Sequence, residues 1–352
     1  MSCPRVLEFP SPPPGKTGWP WTEESPAMPA RMPNGEPWPR VSVVTPSYNQ
    51  AQFIEETIRS VLLQGYPNLE YIIIDGGSTD GSLDIIHKYQ PWLSYWISEP
   101  DRGQTHAVNK GWANATGEIL AYINSDDCYQ QGAVAAAVEG FCANPPAVMV
   151  YGSAIVVDET GKKLRAWEGK PFDLKVMLTV GSIVPQPATF FSGNILKKVS
   201  YLDEKWHMIM DYELCIRIGL QFPVVCLPVT LARFRDHSQS KTNMRFEATA
   251  TELIHFLATF FPEQVPAKKM QAIKRETVSR IHYEWALAYL EQGRQQPSKA
   301  LRQLLNSIVR YPFFAAKQPL DIAYILKEVL LSYFTAIRIR FTIQCSERHV
   351  LR

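Results

Sequence analysis

The sequence GEILAYINSDDCY, residues 117–129, contains the clearest indication of the fold and of a site. Residues 119–123 are a run of apolar side chains short enough for a buried β-strand, and polar residues that include Asn124, Asp126 and Asp127 follow it. In an open α/β sheet, the carboxyl ends of parallel strands border the ligand crevice. Two adjacent carboxylates at this position therefore indicate a binding site.

The two aspartates allow two interpretations. Aspartate oxygens are hard ligands that suit Mg²⁺ or Mn²⁺, and these ions commonly share their coordination with substrate phosphates. The first hypothesis is a metal and diphosphate site at Asp126 and Asp127. The alternative is that residues 125–127 cap a helix beginning near Gln131, because Ser and Asp are frequent at helix starts.

Short apolar runs alternate with helical patterns on both sides of this stretch. Besides residues 119–123, strands are predicted at 41–45, 71–74, 93–97 and 148–151. Strand and helix alternation predicts parallel strands joined by right-handed crossovers, hence a doubly wound, mostly parallel, Rossmann-like α/β sheet. Such a sheet gathers at one edge the polar residues that follow its strands, namely Asn49, Asp75, Asp101 and Asp126.

The pattern changes after residue 152. Residues 155–157 and 163–167 predict a hairpin, a helix begins at Met210, and helical periodicity dominates from Arg245 onward. We therefore predict a Pro-rich flexible arm at 1–39, a catalytic domain at 40–242 and a helical C-terminal region at 243–352.

Charge is divided unevenly along the 352 residues. From Arg245 onward the chain has 16 basic and 9 acidic residues, against 20 and 25 before it. An acidic catalytic part argues against a nucleic-acid partner, whereas the basic helices allow peripheral contact with an anionic membrane. The last predicted helix, 322–343, interleaves Arg338 and Arg340 with apolar residues; its alternative role is packing on neighbouring helices.

The six cysteines are scattered without paired spacing, which is typical of free thiols in a reducing compartment. Neither a secretory signal nor a run of 18 apolar residues is found. We therefore expect a cytoplasmic protein.

Five motifs in order, TPSYNQ, IIIDGGSTDGS, EPDRGQTHAVNKG, INSDD and MDYELCIRIG, resemble family 2 glycosyltransferases, which have the GT-A fold. More narrowly, residues 40–242 resemble bacterial enzymes that build surface polysaccharide or exopolysaccharide. The resemblance implies an inverting, metal-dependent hexosyltransferase. Its donor would be a nucleotide-diphosphate sugar, most simply a UDP-sugar, and its acceptor a saccharide or lipid-linked molecule.

The resemblance also implies roles for residues of the nucleotide site. Asp75 would accept a hydrogen bond from the uracil N–H; its alternative is an Asx turn before Gly76. Arg102 and Lys110 would approach the base or the diphosphate; their alternative is a solvated helix face. The base and ribose would be bordered by Thr45, Pro46, Tyr48 and Asn49.

The metal site departs from the family pattern, because Asn124 stands where members often have the first acid of Asp-x-Asp. Asn124 can still bond a ribose hydroxyl, and Asp126 and Asp127 would hold Mg²⁺ or Mn²⁺. His237 matches a family histidine that touches metal or phosphate, although a histidine in a polar loop is often incidental. Its neighbours Arg233 and Arg235 could close over the diphosphate.

Asp211 matches the family's catalytic base. An inverting transfer needs one base to take the proton of the acceptor hydroxyl as that oxygen attacks the anomeric carbon. The alternative role for Asp211 is an ordinary helix N-cap.

Three other classes of protein were considered. A sugar nucleotidyltransferase would need a Gly-rich basic loop after the first strand, and a dehydrogenase would need G-x-G-x-x-G there; neither is present. A non-catalytic protein that binds nucleotide or glycan through the same fold is the third. Retention of Asp75, Asp126, Asp127 and Asp211 together argues against it.

Overall fold

The computed structural model describes residues 4–241, 245–260, 266–290, 296–312, 319 and 322–331. The chain forms two compact units. The first comprises Met1–Met177 and Gly181–Ser240, and the second comprises Leu178–Val180 and Lys241–Arg352. The limits that the sequence suggested, residues 40 and 242, remain predictions; residue 242 lies outside the described residues.

A mixed β-sheet is the centre of the first unit. Its strands, among the described residues, are β1 Val41–Ser47, β2 Leu69–Asp75, β3 Tyr95–Ser98, β4 Ile119–Tyr122, β5 Cys128–Tyr129, β6 Met149–Val157, β7 Lys163–Trp167, β8 Thr189–Ser192 and β9 Val224–Arg235. They lie in the order β3-β2-β1-β4-β8-β6-β9-β5, with β7 beside β6.

Most of the long strands run in the same direction. β1 pairs in parallel with β2 and β4, β2 with β3, and β6 with β9. The mostly parallel α/β sheet and the β6–β7 hairpin are therefore confirmed. The antiparallel strands β5 and β8 were not predicted, because two and four residues are too few to show a period.

Helices follow the strands in sequence. They are α1 Ile54–Leu62, α2 Ser82–Tyr89, α3 Gln104–Asn114, α4 Ala133–Ala143, α5 Leu174–Val180, α6 Gly193–Val199 and α7 Met210–Gly219. In α1 the buried residues Ile54, Ile58 and Val61 recur at helical spacing, so one face packs in the core. β1 is buried along its whole length, as expected for a parallel strand covered on both faces.

The N-terminal segment differs from the flexible arm that the sequence predicted. Phe9, Trp19 and Trp38 are buried in the same core as the sheet. The indole Nε1 of Trp19 donates to the Tyr129 carbonyl at 2.7 Å, and the fully buried Arg59 donates to backbone carbonyls of this segment. The correction has a simple cause. Prolines remove helical and strand periodicity, but the aromatic residues between them still gain free energy by burial.

The second unit is helical, which confirms the predicted helical region. Its helices include α8 Phe246–Thr259, α9 Ala267–Ala288 and α10 Pro297–Arg310, and residues 322–331 are also helical. Ala286, Leu304 and Ile325 belong to its core. The rest of the last predicted helix, with Arg338 and Arg340, lies outside the described residues. Within the described ranges, no helix combines the length and apolarity needed to cross a membrane.

Candidate active site at the carboxyl ends of the strands

The parallel strands bring four polar segments to one edge of the sheet. Ser47 at the end of β1 pairs in register with Asp75 at the end of β2, and Asp75 pairs with Ser98 at the end of β3. β4 ends at Tyr122, just before Asn124. The strand-end residues predicted from the sequence therefore share this edge.

Asp75 is completely buried, and the protein supplies donors to both of its carboxylate oxygens. Oδ2 accepts from the backbone N–H groups of Gly77 (3.0 Å) and Ser78 (2.9 Å) and from the Ser98 hydroxyl (2.7 Å). Oδ1 accepts from the Ser78 hydroxyl at 2.5 Å. This geometry is the Asx turn that the sequence analysis gave as the alternative to uracil binding.

The loop after β1 is fastened to the loop after β2. Asn49 has a left-handed φ of +52°, which asparagine tolerates better than most residues. Its backbone N–H donates to the Ser78 hydroxyl, and its Oδ1 accepts from the Thr79 N–H at 2.8 Å. Asn49 thus fixes the path of the loop that carries Tyr48.

The other predicted base and ribose residues differ in exposure. The Tyr48 side chain stands largely in solvent, at 62% exposure. Thr45 and Pro46 are buried, and the Thr45 hydroxyl is 2.9 Å from the Tyr71 hydroxyl. Of these residues, Tyr48 presents the accessible surface.

Arg102 and Lys110 form ion pairs within the protein. Arg102 donates to Glu204 at 2.8 Å across an exposed surface, and Lys110 pairs with Glu99. Both cations therefore lie near the strand ends with a carboxylate partner already in place.

Asp101 lies against the backbone beside Asp75. Its Oδ1 accepts from the Gly103 N–H at 2.7 Å. A Cβ placed on Gly76 would lie 2.8 Å from Asp101 Oδ2 and 3.3 Å from Tyr48 Cδ2. Asp101 and Tyr48 therefore converge on the bare backbone of Gly76. The sequence analysis placed Asp101 at this edge but gave it no role.

The two adjacent aspartates after β4 have different surroundings. Asp127 is buried; its Oδ1 accepts from the Arg235 backbone N–H at 2.8 Å, and its Oδ2 accepts from Asn124 Nδ2 at 3.3 Å. Burial raises the pKa of Asp127 well above its usual range, and the charge of Asp126 raises it further. Helix α4 has Gly132 as its N-cap, so residues 125–127 do not cap it.

Asp126 instead faces His237. Its Oδ2 lies 3.1 Å from His237 Nε2, and both side chains are at least four-fifths buried. The imidazole also packs against the Phe53 ring, with centroids 4.8 Å apart. Within the described ranges, no group of three or more His, Cys, Asp or Glu side chains could hold a metal ion. Any ion held by Asp126 and His237 would therefore need further ligands from substrate or water.

Arg235 lies at the end of β9 and is buried. Its guanidinium donates to the Asp126 carbonyl at 2.9 Å and pairs with Glu56 at 3.0 Å, and it lies over the Phe53 ring. The expectation that Arg235 closes over a diphosphate is therefore wrong. Arg235 instead holds the turn of Asp126 and Asp127 in place. This role could not be predicted from the sequence, because more than a hundred residues separate Arg235 from that turn in the chain.

Asn124 is also engaged by neighbouring side chains. Its Oδ1 accepts from Gln104 Nε2 at 2.6 Å, and its Nδ2 lies 3.2 Å from Gln186 Oε1. Gln186 in turn donates to the Tyr122 carbonyl at 2.9 Å. Sequence analysis missed both glutamines, because a single Gln without local pattern gives no indication of such a contact.

Asp211 is half-buried in the first turn of α7. The N-cap of that helix is Ile209, so Asp211 is not the cap. Helix α3 holds the approach to α7, since the Thr105 hydroxyl donates to the Trp206 carbonyl at 3.0 Å and Asn109 donates to the Leu202 carbonyl at 2.9 Å.

Asp211 lies close enough to Tyr122, the last residue of β4, for its charge to affect the pKa of Tyr122. Burial raises the pKa of Tyr122 well above its usual range, and the next largest contribution is the negative charge of Asp211. Asp127 contributes in the same direction. The charge of Asp211 is therefore felt at the end of β4, the strand that leads to Asp126.

An α/β sheet with carboxylates from separate loops at the carboxyl ends of its strands has the architecture of a ligand-binding crevice. The family model described as "Glycosyl transferase family 2" matches residues 42–200. An uncharacterized glycosyltransferase of Mycobacterium tuberculosis is 34% identical over 195 residues, which are 55% of this chain and 72% of the relative. The chain therefore belongs to glycosyltransferase family 2, and it is a glycosyltransferase.

A putative teichuronic acid biosynthesis glycosyltransferase of Bacillus subtilis is 34% identical over 138 residues, 38% of this chain and 51% of that protein. Two solved structures share the fold. Staphylococcus aureus TarS 1–349 in complex with UDP-GlcNAc has a TM-score of 0.56 at 17% identity, covering 84% of this chain and 92% of that one. The Pyrobaculum calidifontis mannosyltransferase PcManGT with GDP-Man and Mn²⁺ has a TM-score of 0.53 at 19% identity, covering 86% of each chain. The GT-A type of fold is thus confirmed.

Proposed function

We propose that this glycosyltransferase moves a sugar from a nucleotide diphosphate, UDP, to a saccharide or lipid-linked acceptor, with inversion at the anomeric carbon. The product is surface or extracellular polysaccharide, and the cofactor is Mg²⁺ or Mn²⁺. The observation that carries the proposal is the contact between Asp126, in the loop after β4, and His237, just after β9, together with the charge of Asp211 that acts on Tyr122 at the end of β4.

The residues present fit a divalent ion. Asp126 Oδ2 and His237 Nε2 are 3.1 Å apart, and a carboxylate oxygen and an imidazole nitrogen are atoms of the kinds that would hold such an ion. Both oxygens of Asp127 accept hydrogen bonds from the protein, so we assign Asp127 to the shape of the turn instead. When bound, the ion would stabilise the charge that the departing diphosphate gains.

Asp211 acts as the general base in this proposal. Its carboxylate takes the proton of the acceptor hydroxyl while that oxygen forms the new bond to the anomeric carbon and the bond to the diphosphate oxygen breaks. Attack on the face opposite the diphosphate inverts the configuration.

The named relatives support the class of product and donor. The Bacillus subtilis relative is named for teichuronic acid biosynthesis, which is the basis for proposing a polysaccharide acceptor. The solved neighbours hold UDP-GlcNAc in one case and GDP-Man with Mn²⁺ in the other, which favours a nucleotide-sugar donor with a divalent ion. We propose a cytoplasmic location because four free cysteines in the described residues suit a reducing compartment. Peripheral membrane contact through the C-terminal helices remains a prediction.

The test is release of nucleotide from a panel of sugar nucleotides by the purified full chain. We expect UDP release from one UDP-sugar in the presence of Mn²⁺ and acceptor, its loss with EDTA, and its recovery when Mn²⁺ is restored. NMR determination of the anomeric configuration of the product, compared with that of the donor, would reveal inversion. Nucleotide binding without turnover on any donor would favour the non-catalytic alternative, and absence of both binding and turnover would refute the nucleotide site.

A further inference from the structure

We propose that Asp101 recognises the nucleobase of the donor and selects bases that carry an imino N–H. This inference rests on the proposed function, because it concerns the nucleotide of the same site. It assigns the recognising carboxylate to the loop after β3, where the sequence analysis had assigned it to Asp75 at the end of β2.

The first step is that both carboxylate oxygens of Asp75 are engaged by the protein and the side chain is buried. Four donors from Gly77, Ser78 and Ser98 lie between 2.5 and 3.0 Å from its two oxygens. Oδ2 accepts three of these bonds and Oδ1 accepts one, so both oxygens are already engaged by the turn. Its complete burial also keeps it from solvent. Asp75 therefore shapes the loop and does not meet the base.

The second step is the placement of Asp101. Its Oδ1 is held by the Gly103 N–H at 2.7 Å, which fixes the direction of the carboxylate. Its Oδ2 accepts no hydrogen bond from any residue that the structure describes, and the side chain is partly exposed. A carboxylate with one oxygen anchored and the other open is a fixed acceptor for a ligand.

The third step concerns Gly76, which follows Asp75 in the chain and lies against the Asp101 carboxylate. A Cβ on Gly76 would lie 2.8 Å from Asp101 Oδ2 and 3.3 Å from the Tyr48 ring. Any side chain at residue 76 would displace one of them. Gly76 therefore allows an open carboxylate oxygen and a 62% exposed aromatic ring to lie around the same point.

An aromatic face beside a fixed hydrogen-bond acceptor suits a nucleobase, which has a flat ring for stacking and an edge with N–H donors. The Tyr48 ring offers a surface on which a base can stack. A carboxylate can only accept hydrogen bonds, so it pairs with uracil N3–H or with guanine N1–H and its amino group. Cytosine and adenine can offer a carboxylate only their amino N–H, and the acceptor nitrogen beside it, cytosine N3 or adenine N1, turns a lone pair toward the second carboxylate oxygen and weakens the pairing. The site should therefore prefer UDP or GDP to CDP and ADP.

Calorimetric titration of UDP, GDP, CDP and ADP into the full chain with Mn²⁺ tests this inference. The variant is Asp101→Asn, whose Oδ1 still accepts from Gly103 while its amide nitrogen becomes a donor. We expect the affinity for UDP or GDP to fall at least about tenfold and the affinity for CDP to rise, because the amide can donate to cytosine N3. The relative affinities for UDP and GDP identify which imino base the site takes.

Two further variants keep the test decisive. Gly76→Ala adds a methyl group at the point where Asp101 and Tyr48 meet, and the φ of Gly76 lies outside the left-handed region. It should weaken UDP or GDP binding even if Asp101→Asn folds poorly. Glu139→Gln removes an exposed charge on α4 and should change no nucleotide affinity.

The outcomes separate this inference from the proposed function. If the unmodified chain binds no nucleotide, the proposed function fails and the inference fails with it. If it binds UDP or GDP, and both Asp101→Asn and Gly76→Ala keep the original preference over CDP, the inference alone is overturned. A preference that disappears in Asp101→Asn and persists in Glu139→Gln supports it.

Discussion

The two ends of the same parallel strands use buried carboxylates in opposite ways. At the amino end, Glu70 of β2 lies between Ser42 and Thr116 and pairs with Arg40 at 2.9 Å. At the carboxyl end, Asp126 and Asp127 are adjacent in the chain, and the charge of Asp126 raises the pKa of the buried Asp127. The amino end thus stabilises its carboxylate, whereas the carboxyl end places a second carboxylate beside a buried one.

The pKa values of the buried acids follow this difference. Burial alone would raise the pKa of Glu70, but hydrogen bonds from Ser42 and Thr116 and the charge of Arg40 outweigh it, and the pKa is lowered. For Asp127, burial and then the charge of Asp126 raise the pKa, and the hydrogen bonds from Arg235 and Asn124 do not compensate. A carboxyl group whose pKa is raised by burial and by a neighbouring like charge is typical of a functional site.

The largest effect is expected where the carboxyl end meets the acceptor. Asp211→Asn removes the proposed base and preserves the size of the side chain. We expect turnover to fall roughly a thousandfold, the usual scale for a general base, with UDP affinity nearly unchanged. Steady-state kinetics and calorimetry measure the two quantities. Turnover equal to that of the unmodified enzyme would remove Asp211 from the mechanism.

The next largest effect concerns the stability of the carboxyl end. Arg235→Met leaves Glu56 buried without its partner and removes the donor to the Asp126 carbonyl. Loss of one partner of a buried pair costs about 3–5 kcal/mol of unfolding free energy. Urea unfolding followed by tryptophan fluorescence measures it.

Arg233 provides the matched control, because it lies on the same strand and is only half-buried. Arg233→Met should cost under about 1 kcal/mol. Equal costs for the two variants would mean that Arg235 contributes by packing alone and does not hold the turn.

The strands and the edge of the sheet where the site lies could be predicted from local sequence patterns. Apolar runs depend on neighbouring residues, so β1, β2 and β4 were predicted near their observed bounds. The rule that parallel strands gather their carboxyl ends then placed Asp75, Asp101 and Asp126 at one edge.

The hydrogen-bond partners of the aspartate oxygens at this edge could not be predicted in this way. Arg235 meets Asp127 across 108 positions, and no local pattern records that contact. Asp75 and Asp126 look alike as acids after strands, yet one is filled by turn donors and the other faces His237. The prediction of a flexible N-terminal arm was wrong for the same reason, because Trp19 bonds to the Tyr129 carbonyl, which is 110 positions away in the sequence.

A smaller effect separates loop shape from ligand recognition at the carboxyl end. Asp75→Asn replaces an acceptor by an amide donor that faces the hydroxyl and N–H groups of the turn. We expect a loss of about 2–3 kcal/mol in unfolding free energy, because at least one buried donor loses its acceptor. Ser98→Ala, which removes one of the four bonds, should cost about 1 kcal/mol. Nucleotide affinity of folded Asp75→Asn should stay close to that of the unmodified chain; a selective loss of UDP binding would return the base contact to Asp75.

The smallest effect tests the amino end by pH. Because the pKa of Glu70 is lowered in the folded protein, its carboxylate stabilises the fold above the ordinary value of 4.5, and this contribution is lost as the pH falls through the folded-state pKa. Glu70→Gln should therefore cost about 1 kcal/mol at pH 7, and the difference from the unmodified chain should shrink as the pH decreases below 4.5. Urea unfolding at several pH values measures this difference. A difference that stays constant down to pH 3 would mean that Glu70 acts through its shape and not its charge, and the two ends of the strands would then differ less than their hydrogen bonds indicate.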